Sequence, residues 1–308
     1  MSQPEGGQAE VSGRISGPPV VLQVRLQAGW PMAAWAALCG LVASATLGAA
    51  GTGSGWGERG IRVLLLLFLV EVGWRGVWTL LAATDWATLL ERWRGWRQSV
   101  PLPPLPYTQP DAPAGRLWVR LGQLLHWGST LLWPQQGTAL ATLLALLLLT
   151  PLLGAVLGGR VLLLTGAALA LSEMAAALVD WNGRGASGFQ AVIEVGLAWL
   201  AGHLLLAPEV PGSGLLLSTG LALAFALAHE GGLRLARRDE GLGAWLGGQG
   251  LALLLLVLGH RPWAAGALGL LLVPQLLRRP WLETEGGARY VARARPWLLL
   301  AMAGAVLI

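Results

Sequence analysis

Thr138-Ala-Leu-Ala-Thr-Leu-Leu-Ala-Leu-Leu-Leu-Leu-Thr-Pro-Leu-Leu-Gly-Ala-Val-Leu157 carries no charged residue and no polar side chain larger than threonine. A helix rises about 1.5 Å per residue, so such a run spans about 30 Å, the thickness of a bilayer's hydrocarbon core. A helix on the surface of a soluble domain would need a polar face, and this one has none. The stretch therefore reads as a membrane-crossing helix.

The same ruler, moved outward, finds nine apolar blocks, at about 30–50, 61–84, 138–157, 161–179, 188–207, 214–230, 243–259, 263–277 and 294–308. The sixth, eighth and ninth are short. Composition agrees: over the 308 residues only 12% are charged and mean hydropathy is +0.59, whereas soluble domains carry about a quarter charged residues. The expectation is an all-α polytopic membrane protein, a bundle of about nine transmembrane helices. A tail over 1–29 precedes a helical membrane domain over 30–308, which is interrupted by a long loop at 85–137. Met1 to Gln27 is polar and holds glycine and proline, unlike a cleavable signal, so the first span is expected to be retained.

Every basic residue is arginine. With the N-terminus placed in the cytoplasm, sixteen arginines fall on the inner side and four, Arg59, Arg62, Arg160 and Arg261, on the outer. That asymmetry predicts a cell (inner) membrane protein with N-terminus inside and C-terminus outside. It also accounts for the isoelectric point of about 10.8 with no nucleic-acid partner; the bilayer itself is the expected partner. Trp30, Trp56, Trp86, Trp181, Trp245, Trp263, Trp281 and Trp297 stand at or just beyond span ends, where amphipathic rings suit the headgroup layer. The single cysteine, Cys39, excludes an internal disulfide.

The long loop has three parts. Trp86, Leu89, Leu90, Trp93 and Trp96 continue the second helix at helical spacing. Residues 101–113 then hold six prolines and must run extended. From Arg116 to Trp133 the chain is amphipathic, with Arg116, Arg120, Gln123, Trp127 and Thr130 on one face and Leu117, Leu121, Leu124, Leu125, Leu131 and Leu132 on the other. A basic amphipathic helix beside a span fits the membrane interface; a lid over a cytoplasm-facing cavity and a proline-rich docking segment are the alternatives.

Ionisable residues inside apolar blocks are costly and mark candidate sites. Glu71-Val-Gly-Trp-Arg75 lies in the second span, and Glu230-Gly-Gly-Leu-Arg234 ends the sixth. Both read Glu-x-Gly-x-Arg, a spacing that sets carboxylate and guanidinium on one helix face. Either each is a self-neutralising pair or the two make a repeated site. Glu173 in the fourth span and Glu194 in the fifth are the remaining intramembrane carboxylates. Glu194 and His203, nine residues apart, fall on roughly opposite faces of a straight helix. No histidine pair has metal-ligand spacing, and no phosphate-binding loop, nucleophile elbow or dinucleotide fingerprint occurs.

The span plan, together with Phe225-Ala-Leu-Ala-His-Glu-Gly-Gly-Leu-Arg-Leu-Ala-Arg-Arg-Asp-Glu-Gly-Leu-Gly243 at the exit of the sixth span, resembles the UbiA superfamily of intramembrane prenyltransferases. That resemblance implies nine helices, a cytoplasmic N-terminus, and working loops after the second and sixth helices. It also implies two aspartate-rich motifs that hold magnesium against a prenyl diphosphate. This chain departs from those motifs. The second span exits through Thr84-Asp85-Trp-Ala-Thr88-Leu-Leu-Glu91-Arg92, which leaves Asp85 alone, and Asp239 and Glu240 stand beyond the Glu230/Arg234 spacing. Magnesium is accordingly implied only if prenyl transfer survives.

The leading expectation is thus a UbiA-like isoprenoid- or lipid-binding protein, or a divergent prenyltransferase. In it Arg75 and Arg234 meet an anionic head group, oriented by Glu71 and Glu230, with Asp85, Glu173, Glu194, Asp239 and Glu240 as secondary candidates. Two other classes are compatible with the sequence. One is a non-catalytic membrane subunit or scaffold. The other is a proton-coupled transporter or permease in which Glu71, Glu173 and Glu194 relay protons.

Overall fold

The computed structural model describes residues 31–47, 56–83, 92–93, 96–97, 99–100, 112–178, 186–206, 212–238 and 240–307. Among the described residues, each of the nine apolar blocks overlaps a helix. These are α1 (Met32–Leu47); α2 (Trp56–Phe68) running through a π-helical segment π1 (Leu69–Trp74) into α3 (Arg75–Ala83); and α4 (Pro113–Trp127) running through π2 (Gly128–Leu132) into α5 (Trp133–Leu157). Next come α6 (Gly159–Leu178) and α7 (Ala186–Ala191), the latter passing through π3 (Val192–Leu197) into α8 (Ala198–Leu206). The chain closes with α9 (Gly212–Arg238), α10 (Leu242–Leu258), α11 (Pro262–Leu277), the short α12 (Pro280–Glu285) and α13 (Gly287–Leu307). No strand occurs among the described residues. This is what a bilayer demands, since a helix satisfies its own backbone hydrogen bonds.

Among the described residues, five helical runs are long and apolar enough to cross a membrane: 57–82, 113–157, 159–178, 186–206 and 214–237. Three shorter apolar helices cover 32–44, 242–258 and 262–277. Two boundaries differ from expectation. The sixth span does not end near Glu230; α9 continues two more turns to Arg238, so Glu230 and Arg234 lie within a helix. The expected loop over 85–137 is helical from Pro113 onward, continuous with the third span to Leu157. Pro113 suits this start, because a proline in the first turn lacks an N–H that would have no partner there anyway. The proline-rich stretch over 101–111 lies outside the described residues.

Contacts divide the chain into two compact units, one holding 87–140 and the other 28–86 with 141–308. In the first, α4 buries the strip Gly115, Gly122 and Trp127. Trp93 packs 5.6 Å from Trp127, Trp96 lies 5.7 Å from His126, and the Val100 N–H donates to the Gly122 carbonyl. The leucine face of Leu117, Leu121, Leu124 and Leu125 remains exposed, as an interfacial helix requires.

The second unit has one core. Helices α1 and α8 approach closely because both present small residues: Ala33, Ala36, Ala37, Gly40 and Ala43 face Ala198, Ala201 and Gly202. A Cβ on Gly40 would overlap the Trp199 carbonyl, and one on Gly202 would overlap that of Ala37. Small residues let helix backbones approach where lipid offers no hydrophobic drive. Around this pair, α9 packs on α10 and π3, and α13 packs on α11, α9 and α1.

The tryptophans part company. Trp263 is 82% exposed at the head of α11, and Trp281 is stacked by Arg278 and Arg293, both positions suited to an interface. Trp245 is instead only 1% exposed, and its indole N–H donates to Gln275 at 2.8 Å. It sits one turn into α10, where α9 has glycines at 231 and 232 to admit it, so it is a core residue and not an anchor. Trp30, Trp86 and Trp181 lie outside the described residues.

Candidate functional site

Two of the π-helical segments share the tripeptide Glu-Val-Gly. The first contains Val70-Glu71-Val72-Gly73 and the third Ile193-Glu194-Val195-Gly196. A π turn takes in one residue more than an α turn, which rotates the side chains beyond it and widens the local hydrogen bonding; such turns occur often at functional sites. In both segments the glutamate is the third of six residues.

These glutamates meet through one arginine. Arg75, four residues after Glu71 on the same face, donates to the Glu71 carboxylate through Nη1. Its Nε lies 3.8 Å from Glu194 Oε1. The second Glu71 oxygen faces the first turn of α1, where the Ala34 N–H lies 3.4 Å away, an electrostatically favourable place for a carboxylate. Glu71 thus belongs to two helices.

Glu194 is the centre of the arrangement. Its Oε1 accepts from Gln190 Nε2 at 3.0 Å, one turn earlier. Its Oε2 stands 3.0 Å from His229 Nε2 on α9. The side chains of Glu194 and His229 are each only 6% exposed. One buried carboxylate is therefore shared by a guanidinium on one oxygen and an imidazole on the other.

The second Glu-x-Gly-x-Arg motif borders the same place. Glu230 accepts from Arg234 on the same face of α9. The Glu230 carboxylate lies where a Cβ on Gly188 would be in van der Waals contact with it, at 3.4 Å. One turn on, Arg237 Nη2 donates to Gln190 Oε1 at 2.8 Å. Gln190 thereby links Glu194 to the exit of α9. Arg234 is half exposed, its side chain at 50%.

Of the residues singled out from the sequence, Glu71, Arg75 and Glu194 come together, while Glu230 and Arg234 pair with each other on α9, Glu230 beside the Gly188 position of α7. Glu173 does not join: it is exposed on α6 and makes no ion pair or hydrogen bond among the described residues. Glu240 is exposed in the short connection between α9 and α10. Asp85 and Asp239 lie outside the described residues. Glu194 and His203 make no contact with each other; His203 is fully buried within α8, in keeping with their expected opposite faces.

Sequence reasoning passed over His229, Gln190 and Arg237. The missed signals were a histidine directly before Glu230 inside an apolar run, whose partner Glu194 lies on another helix, and a glutamine four residues before Glu194 on the same helix face. Near π1, Thr150 Oγ1 and Trp74 Nε1 are buried without a hydrogen-bond partner among the described residues, and Thr150 lies against Gly73.

Among the described residues no three His, Cys, Asp or Glu side chains form a group that could hold a metal ion. Glu71 and Glu230 each have their own arginine, and Glu194 accepts from Gln190 and His229. A magnesium–diphosphate complex needs several free carboxylate oxygens on one cation, and these residues do not fit it. Compared with protein-family models, with curated proteins and with solved structures, the chain matches none.

Proposed function

We propose that this chain is a nine-span protein of the cell membrane, N-terminus inside, that couples proton uptake and release to movement of a solute. The observation that carries the reading is the Glu194–His229 pair, buried within apolar helices and joined to Arg75. Charge in such surroundings is costly and is typical of proton relays. A carboxylate oxygen and an imidazole nitrogen at hydrogen-bond distance give a proton a donor and an acceptor to pass between. The wide turns at Glu71 and Glu194 support the same reading, because π segments loosen a helix locally. The relay comprises Glu71, Glu194 and His229, not Glu173.

The test is reconstitution into liposomes containing a pH-sensitive dye. A panel of sodium, potassium, chloride, guanidinium, quaternary ammonium and carboxylate gradients is imposed in turn. At least one gradient is expected to drive proton movement in the wild type, and Glu194→Gln and His229→Gln are expected to abolish it. Proton movement no different from that of empty liposomes across the whole panel sinks the reading.

The UbiA-like lipid-binding reading ranks second, because Arg75, which it needs for an anion, is engaged by two carboxylates. What favours it is the half-exposed Arg234 with Arg237 one turn on, since guanidinium groups suit phosphate oxygens. Binding of a prenyl diphosphate to wild type but not to the Arg234→Ala/Arg237→Ala double variant supports it; no binding to wild type removes it.

A further inference from the structure

The transport reading leaves open what is carried, and the charges around Glu194 narrow it. Glu71 and Arg75 make a tight pair of opposite charges on one helix face. Glu230 and Arg234 make another. Arg237 is exposed and bound to neutral Gln190. Taken pair by pair, the buried layer is left with one uncompensated negative charge, that of Glu194. Its two oxygens are differently placed: Oε2 is at hydrogen-bond distance from His229, while Oε1 accepts from the neutral Gln190 amide at 3.0 Å and has a cation only at 3.8 Å. An ion pair that long is at the outer limit of contact, and Arg75 keeps its close partner Glu71 if it withdraws from Glu194.

We propose that a monovalent organic cation of guanidinium or ammonium type binds at Glu194 Oε1 in exchange for the proton on His229, one for one. This rests on the proton-coupled transport reading. When His229 is an imidazolium, Glu194 is neutralised from the Oε2 side. When the cation arrives at Oε1, displacing the Nε edge of Arg75, the imidazolium loses its proton to water on the side from which the cation came, and the layer stays neutral. Both states at once would place two positive charges on one carboxylate; neither would leave a bare buried anion, which costs several kcal/mol. That mutual exclusion is what couples the two fluxes.

The chemistry of the occupant follows from the donors present. A guanidinium supplied by the chain itself already stands 3.8 Å from this oxygen, and the Gln190 amide N–H donates to the same oxygen. A metal cation is disfavoured, because among the described residues no group of three ligating side chains surrounds the place and hard cations want several oxygens. The charged groups facing the site are Glu71 and Arg75 from π1 and α3, Glu194 from π3, and His229, Glu230, Arg234 and Arg237 from α9.

The experiment titrates the purified full-length chain in detergent micelles with guanidinium chloride by calorimetry, near pH 7, in two buffers of different ionisation enthalpy. Sodium chloride at matched ionic strength is run in parallel. Wild type is expected to bind guanidinium with release of about one proton per cation. Glu194→Gln should weaken binding by at least about thirtyfold, as for loss of one partner in a buried charge pair. His229→Gln, which keeps a hydrogen-bonding side chain, should bind guanidinium but release no proton. Glu71→Gln, by freeing Arg75 to settle on Glu194, should weaken binding several-fold.

No guanidinium binding by wild type, binding without proton release, equal proton release in His229→Gln, or sodium binding in place of guanidinium each overturns the proposal. Because His229→Gln reports proton release and not affinity, the test survives if Glu194→Gln fails to fold. Proton-coupled movement of another solute in liposomes, with no guanidinium binding, overturns this inference and leaves the transport reading. Guanidinium binding with proton release, in a chain that moves no protons across liposomes, does the reverse.

Discussion

Glu194 Oε2 and His229 Nε2 stand 3.0 Å apart although 35 residues separate them in the chain. One belongs to π3, the other to the long helix α9, and both are closed off from the surroundings. The contact places a titratable pair at the join of the two helices that pack on either side of it. It also explains why neither residue is solitary in an apolar block: each is the other's reason for being tolerated.

Removing the carboxylate should be far more harmful than neutralising it. Glu194→Gln keeps a hydrogen-bonding group toward Gln190 and His229. Glu194→Leu strands Gln190, Arg75 and His229 together, and breaking a buried charge pair from one side costs about 3–5 kcal/mol. Unfolding in detergent micelles should therefore rank wild type above Gln, and Gln well above Leu. Equal stability of Leu and Gln would show that Glu194 is not the centre of the cluster.

The α1–α8 contact should tolerate no added methyl group. Gly40→Ala and Gly202→Ala both drive a Cβ into backbone carbonyl groups, which cannot rotate away, and overpacking of this kind costs about 1–3 kcal/mol. Gly166→Ala on α6 meets nothing within 4 Å, and alanine is the better helix former by about 1 kcal/mol. Thermal unfolding is expected to fall for the first two and to hold or rise for the third. Since Ala34 in the first turn of α1 faces Glu71, the Gly40 and Gly202 variants should also reduce proton-coupled transport.

A second polar network, away from the site, should be purely structural. Gln249 and Gln275 exchange side-chain hydrogen bonds at 2.8 and 3.0 Å, and Trp245 donates to Gln275. Tyr290 OH donates to the Gln275 carbonyl. Either single change, Gln249→Leu or Gln275→Leu, leaves a buried amide unsatisfied at a cost of about 1–3 kcal/mol. The double variant should cost less than the sum, as a double-mutant cycle of unfolding free energies would show. Cation binding at Glu194 should be unchanged in all three; a loss there would tie this network to the site.

The turn after α9 depends on a left-handed residue. Gly241 has φ of 115° and lies against Gly231 and Arg234. Gly241→Ala should destabilise by about 1–2 kcal/mol, whereas Gly243→Ala, with nothing within 4 Å, should be close to neutral. If both behave alike in thermal unfolding, the turn does not need its glycine.

Much of this site was readable along the chain. The i, i+4 rule pairs Glu71 with Arg75 and Glu230 with Arg234, and both pairs form. The cost of charge in lipid marked Glu194 as a candidate, but marked Glu173 equally, and only Glu194 joins the group. The repeat was harder to read. Glu-x-Gly-x-Arg relates the second span to the sixth, but the segments that share a wide turn and meet at one arginine are Val70-Glu71-Val72-Gly73 and Ile193-Glu194-Val195-Gly196, in the second and fifth. A π turn has no signature in 3.6-residue periodicity, because it is a departure from that period. Trp245 misled for a similar reason: its place near a span end suited an anchor, and only the glycine pair on the facing helix makes room for it inside.

The sequence alone determined that this is a helical membrane protein, because long apolar runs must satisfy their backbone internally, and it determined which few residues bear unusual cost, because charge in lipid is costly wherever it falls. It also determined contacts within one helix, which depend only on spacing. Tertiary structure decided the rest: that Arg75 has a second carboxylate, that His229 and not Glu173 completes the group, and that Gln190 joins it to Arg237. Those contacts run between helices, and their existence depends on how small residues let α1, π3 and α9 approach, a property of the assembled helices and not of any one of them.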